Sequence, residues 1–467
     1  DFRVHLWDMH QEDIRQPSFS YSGPRGNVLA LSFSAHNQFM YSGGADNMVM
    51  KYDLSRTPTT QSTQGLRPAL STFMQHTDSV RDISCHPLQE EIFFSARNVN
   101  LIVEDGKVIL HDGRVNASVT GAQGILQHDK EFTGVQAHPI MENIFATCDG
   151  GGQVCLRDTR MAFGPLAQRS KQGIYSTKLS KKTFLSNPES SSIAFDRDGM
   201  LRHWRHCHFF PTVYSVSDPN PIAVCNGRNK PDGTPVLPGQ RTYSNSCTMK
   251  SGSFGGPALL EDELYSAGSD DFRGYVWRIP SIACLTARRK EIKNEDWCTQ
   301  EWPNIVAFAE SQSATRYIPT ELSTPLFCLN GHKSIINSAV IHPSLLYIAT
   351  SGVERHVTLH SPVSNAPSSK NLPLTTPTVR DLQESSAEDY RVFIRALAGL
   401  QPTLHEDIND SEDEIETISL FDHILRQEGE ADVFTMRPWV GNDDSESESG
   451  SDSDDPRDFF HESGGDQ

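Results

Sequence analysis

Cysteine is scarce in this sequence and never paired at short spacing: the nine cysteines in 467 residues form no Cys-x-x-Cys. They sit mostly inside apolar segments and read as reduced core thiols of a cytosolic or nuclear protein. No apolar run approaches the roughly 18 residues of a membrane span, so no membrane association is expected. No glycine-rich phosphate loop, His-Glu-x-x-His motif or Gly-x-Ser-x-Gly elbow occurs, and no convergent acid, base or metal set stands in for them. Enzymatic activity is therefore not expected, and no catalytic residue, cofactor or metal is assigned. An excess of positive charge is missing too. The formal net charge is -19, which argues against direct nucleic-acid binding, since a clamp for nucleic acid needs a basic surface.

That negative charge is localised. From Asp381 onward the chain carries 25 of its 60 acidic residues and five of its 41 basic ones, which leaves the part before it nearly neutral, with 35 against 36. After Pro362 the composition turns to Ser, Pro and Thr and then to acid. Residues 363–440 read as a linker with two short amphipathic helices. One runs from Ser385 to Gly399 and opens on a Ser385 and Glu388 capping pattern. The other runs from Ile415 to Arg426 and places Ile415, Ile418, Phe421, Ile424 and Leu425 on one face, expected to pack on the body. Residues 441–467 read as a disordered acidic tail, because like charges repel and little apolar surface is available for collapse. Its acid-flanked serines suit an acidophilic kinase.

What the first 362 residues do contain is an internal repeat. An acidic residue in a turn is followed six positions later by an aromatic or His: Asp1 and Trp7, Asp46 and Tyr52, Asp105 and His111, Asp271 and Trp277, Glu354 and His360. The segment between alternates like a strand, and two further strand candidates precede each turn. His-Pro dipeptides at His86-Pro87, His138-Pro139 and His342-Pro343 close the first strand of three units, where proline does not break a ladder. Repeats fall near 26–56, 75–114, 130–160, 190–218, 245–280 and 331–362, after a partial unit from Asp1 to about Pro24 that opens within its third strand. Segments 219–244 and 281–325 read as loop-like insertions, and Asn98 to Glu104 as inserted within its unit.

This pattern resembles the WD repeat, with Trp7-Asp8 matching fully and Tyr52-Asp53 and His111-Asp112 carrying a replaced aromatic. The resemblance implies an all-β, seven-bladed WD-repeat β-propeller over residues 1–362, its first blade truncated. Seven repeats lie within the range that closes such a ring. It also implies a hydrogen-bonded chain locking each blade: His76, Ser95, Asp105 and His111 in one, His332, Ser351, Glu354 and His360 in another. Such chains are structural when every member is paired.

Two features point outward. His111-Asp112-Gly113-Arg114 and Arg157-Asp158-Thr159-Arg160 have the form x-Asp-x-Arg just past the closing strand of consecutive repeats, which sets Arg114 and Arg160 side by side on one rim. Arg197, Arg202 and Arg205 form a second basic group suited to an acidic or phosphorylated peptide. The neighbouring histidines lack the convergent ligands a metal needs.

Consecutive Trp-Asp-x-Arg boxes are the mark of the WD-repeat substrate receptors of cullin-4–RING ubiquitin ligases, the factors associated with cullin-4 and its damaged-DNA-binding-protein adaptor. The chain resembles that family in Asn245 to Ser251, Ser269-Asp270-Asp271-Phe272, Val276 to Pro280, Gly331 to Asn337, Ser351 to Glu354, and Leu420 to Arg426 followed by the acidic run. The resemblance implies a scaffold in the nucleus or cytoplasm that bridges the cullin-4 ligase adaptor, through Asp112, Arg114, Asp158 and Arg160, to a substrate protein the sequence does not name. His111 and Arg157 replace the Trp of the family's boxes. A chromatin- or RNA-processing WD scaffold that binds basic partners such as histones is the alternative.

Overall fold

Side chains that alternate at period two make strands, and short turns between them make antiparallel ladders. The structure, a computed structural model, describes residues 2–382 and 410–428, together with positions 391 and 394. Within that span 12, 56–65, 98–105, 115–123, 164–173, 181–184, 187–189, 198–200, 207–209, 260–261, 300–304, 364–368 and 370 are left out. The expected helix at 385–399 and the acidic tail at 441–467 thus lie outside the described residues, the two isolated positions apart, as do Asp105 and the inserted stretch before it.

The fold is a WD-repeat β-propeller, and each repeat read from the sequence is one sheet. Blade two, for instance, is built from Val28–Phe33, Phe39–Gly44, Val49–Asp53 and Ser71–Phe73, and blade three from Val80–Cys85, Ile92–Arg97, Gly106–Asp112 and Ile125–His128. Blade four has Phe132–Ala137, Ile144–Asp149 and Val154–Asp158, and blade seven has Ile336–Ile341, Ile348–Gly352 and Thr358–His360. Blades five and six open on Ser190–Phe195 and Gly252–Gly255. The partial first unit gives Val4–Leu6 and Phe19–Ser22, with Leu66–Pro68 added in parallel.

The first strands of blades two to seven stand side by side in chain order. Polar side chains stitch them: Cys85 N–H donates to Ser32 Oγ at 3.1 Å, Ala137 N–H to Ser84 Oγ at 2.9 Å, and Ile341 N–H to Ser253 Oγ at 2.7 Å. Apolar faces fill the space between neighbouring sheets, as where Tyr41 of blade two meets Phe93 of blade three with ring centroids 4.2 Å apart.

Two segments read as loops are ordered differently. Asp218–Cys225 is a strand of blade five despite Pro219 and Pro221. Its antiparallel pairing sits at Asp218 and at Ala223–Val224, and Ala223–Cys225 pair in parallel with Thr320–Leu322, so both prolines lie clear of the ladder. Residues 281–325 contribute that added strand, the helices Ile282–Arg288 and Asn294–Thr299, and a side sheet with the hairpin Leu179–Ser180 and Leu185–Ser186.

The C-terminal helix spans Asp410–Glu428 and docks on the propeller. Leu425 packs with Phe272 and Ile335, and Arg380 donates from both Nη atoms to the Asp422 carboxylate at 2.8 and 2.7 Å. The expected face docks toward its C-terminal end: Leu425 is buried and Phe421 packs beside it, joined by Asp422 and His423, whereas Ile415, two turns earlier on the same side as Asp422, is 65% exposed. Arg380 admits Asp422 to the interface, because a bidentate cation lets a carboxylate be buried.

Candidate docking face

Four blades are locked where the third strand crosses the second. Tyr52 OH lies 3.0 Å from Ser42 Oγ, His111 Nε2 is 2.6 Å from Ser95 Oγ, Arg157 Nε donates to Thr147 Oγ1 at 2.9 Å, and His360 Nε2 lies 2.8 Å from Thr350 Oγ1. His111 and Arg157 therefore replace the expected Trp with another buried nitrogen that bonds a strand hydroxyl. The partners are ten positions apart in blades two, four and seven and sixteen apart in blade three, so six extra residues lie in that turn. His76 Nε2 extends the blade-three chain to Ser95 Oγ at 2.6 Å.

In blade seven the chain runs from Glu354 Oε2 through His332 (2.7 and 2.8 Å) to Thr350 and His360. Thr350, not the expected Ser351, is the hydroxyl member. The two residues face opposite sides of one strand, and only Thr350 is fully buried.

Just past the closing strand the chain makes one turn four times over. The carboxylate of Asp8, Asp53, Asp112 or Asp158 accepts the backbone N–H two residues on, from His10, Ser55, Arg114 or Arg160, at 2.9, 2.9, 3.0 and 2.9 Å. In blades three and four the residue at that place is arginine, and the same carboxylate holds its guanidinium as a fork. Arg114 Nε and Nη2 donate to Asp112 at 2.8 and 2.6 Å; Arg160 Nε and Nη2 donate to Asp158 at 3.0 and 2.6 Å. Both arginine side chains stay open, 66% and 72% exposed. The bonds to arginine hold both carboxyls below the usual range and raise both guanidinium groups. The two sites are alike in every bond.

Strand direction puts both forks on one face. In an antiparallel blade the end of the third strand lies beside the turn joining the first two, and backbone bonds record it: Gly113 N–H to Glu91 C=O at 2.7 Å and Thr159 N–H to Asn143 C=O at 2.8 Å. The turns carrying Phe272 and Glu354, where the C-terminal helix docks, lie at the opposite end of their strands.

The other predicted basic group is not assembled in this way. Arg197 bonds the carbonyls of Gly256 and Pro343, on the two blades that follow its own. Arg202 and Arg205 belong to the strand Leu201–His206, with side chains outside the described residues. A further fork was overlooked: Arg15 Nε and Nη2 bond Asp13 at 2.9 and 2.5 Å in the connection after Val4–Leu6. The text Asp13-Ile14-Arg15 carries the same Asp-x-Arg signal, but it stands away from the strand end where the repeat directs attention.

The model for the WD domain, G-beta repeat, matches residues 15–53 and 323–361. The chain thus carries WD repeats in these two stretches. DDB1- and CUL4-associated factor 5 of Homo sapiens is 25% identical over 364 residues, 78% of this chain and 31% of that protein. Its Mus musculus counterpart is 24% identical over 364 residues, 78% of this chain and 30% of that protein. The WD-repeat chain thus spans about a third of the length of these relatives, and its resemblance to the associated-factor family is borne out over most of its own length.

Proposed function

We propose that this WD-repeat chain is a non-catalytic substrate receptor of a cullin-4–RING ubiquitin ligase, docking on DDB1 through the face that carries Arg114 and Arg160 and presenting a substrate protein elsewhere. The carrying observation is the pair of identical Asp–Arg forks on consecutive blades, each holding an exposed guanidinium in a fixed pose. A preordered arginine loses little freedom on binding, and truncating an arginine that serves as a hot spot costs about 2 kcal/mol or more. The names of the similar proteins, DDB1- and CUL4-associated factors, point the same way.

The test is co-purification of DDB1 with the wild-type chain and with Arg114→Glu/Arg160→Glu. Wild type should capture DDB1 and the double variant should not, while circular dichroism and melting stay near wild type. Charge reversal sets like charge against an acidic partner surface. Full binding by a folded double variant would refute the assignment of these arginines.

A further inference from the structure

Next to the forks lies an apolar surface that the repeat pattern does not explain. The His-Pro turns of blades three and four are built alike. His86 Nδ1 accepts the N–H groups of Leu88 and Gln89 at 3.1 and 3.0 Å, and His138 Nδ1 those of Ile140 and Met141 at 3.1 and 2.9 Å. The imidazole fixes the turn, and the fixed turn pushes its apolar residues into solvent: Leu88 is 57% exposed, Ile140 60% and Met141 41%. The two turns are also tied together, since His86 Nε2 donates to Glu142 C=O at 2.9 Å. Through Glu91 and Asn143 they abut the residues that precede Arg114 and Arg160.

We infer that Leu88, Ile140 and Met141 are the apolar anchors of the same docking face, and that Arg114 and Arg160 are its charged margin. The partner this fits is a folded protein surface with an apolar ridge flanked by carboxylates; this rests on the receptor reading, under which the partner is DDB1. Exposed apolar residues clustered on a rigid frame mark binding surfaces, and an apolar centre with a polar rim is the usual plan of a protein interface. The charge argument has the same sense. Each aspartate of a fork is the more shielded partner and each arginine the more open one, so the margin presents cations outward. Arg114 Nη1 and Arg160 Nη1 have no partner among the described residues. Blade seven supplies an internal control: His342 Nδ1 fixes the equivalent turn and Leu345 is exposed, but no Asp-x-Arg follows His360.

Affinity for purified DDB1 should be measured by calorimetry for the 467-residue chain, for Leu88→Ser/Ile140→Ser/Met141→Ser and for Leu345→Ser. The triple variant should bind at least tenfold more weakly with unchanged melting, and Leu345→Ser should match wild type. Should the triple variant melt early, Ile140→Ser alone carries the test, with a fewfold loss expected. Wild-type affinity in the apolar variants, alongside loss in Arg114→Glu/Arg160→Glu, would overturn the apolar anchor and leave the receptor reading standing. Equal weakening by Leu345→Ser would overturn it as well, by showing that general surface apolarity is what is measured. Failure of the wild-type chain to bind DDB1 would remove the receptor reading and the anchor with it.

Discussion

Asp158 holds Arg160 by three hydrogen bonds, one to its backbone N–H at 2.9 Å and two to its guanidinium at 3.0 and 2.6 Å. Asp112 repeats the set on Arg114. The aspartates are positioning residues on this view. Asp112→Ala/Asp158→Ala should weaken DDB1 capture by roughly tenfold, the freed side chains having to be ordered on binding, and so by less than charge reversal of the arginines. Because the arginine bonds depress both carboxyl pKa values, the forks are complete above the ordinary carboxylate range and are lost only as pH falls below it. Binding should therefore be flat from pH 8 to 5.5. A midpoint within that window would show that another group controls the interface.

Thr350, not Ser351, closes the hydrogen-bonded chain of blade seven. Thr350→Val keeps the volume but strands His332 and His360 without their hydroxyl, at a cost of about 1–3 kcal/mol. Ser351→Ala should stay within about 0.5 kcal/mol of wild type, as expected of a half-exposed site. Urea unfolding of the two variants decides the register, and the reverse order would restore Ser351.

Burial holds the His76 imidazole down to about 3 and that of His111 well below its ordinary value. The unfolded chain takes up these protons near pH 6.5, whereas the folded chain does not. Stability is thus full above 6.5 and declines as pH falls toward the folded values. At pH 5 the His76 ring by itself should have removed about 2 kcal/mol, at roughly 1.4 kcal/mol per pKa unit, with His111 acting in the same direction. An NMR titration of the His76 ring from pH 7.5 to 5 is the check, since the buried Asp82 carboxyl, pushed up to about 7, moves overall stability the opposite way in this window; a ring that protonates near 6.5 would show that it is not held neutral.

Arg380 lies 4.5 Å over the ring of Phe272 while it grips Asp422, and Arg241 lies 4.2 Å from the same ring. Phe272 is fully buried at a positive φ of 70°, a conformation a bulky side chain adopts only under tertiary constraint. Arg380→Ala leaves the buried carboxylate unpaired and should release the helix Asp410–Glu428, at a cost of about 3–5 kcal/mol to its docking. Limited proteolysis should then cut within 410–428 before the propeller. Unchanged cleavage would show that the apolar contacts of Leu425 suffice.

The sequence alone determined what depends on local spacing. Period-two alternation, turn chemistry and the recurring acid-to-aromatic interval located the blades, and Asp-x-Arg past a strand end made the forks at Arg114 and Arg160, because every atom of a fork lies within three residues. It also supplied His76, Ser95 and His111 of one chain and His332, Glu354 and His360 of another. What only the tertiary structure decided are meetings between distant segments. Thr350 displaced Ser351 because a one-residue change on a strand reverses the face presented. Asp422 was buried beside Leu425 because Arg380, 42 positions away, offered a partner for the carboxylate. The turns carrying Leu88 and Ile140–Met141 were brought together because His86 reaches the carbonyl of Glu142 across a blade boundary, 56 positions along the chain, and no local pattern encodes a contact that exists only once two blades are packed side by side.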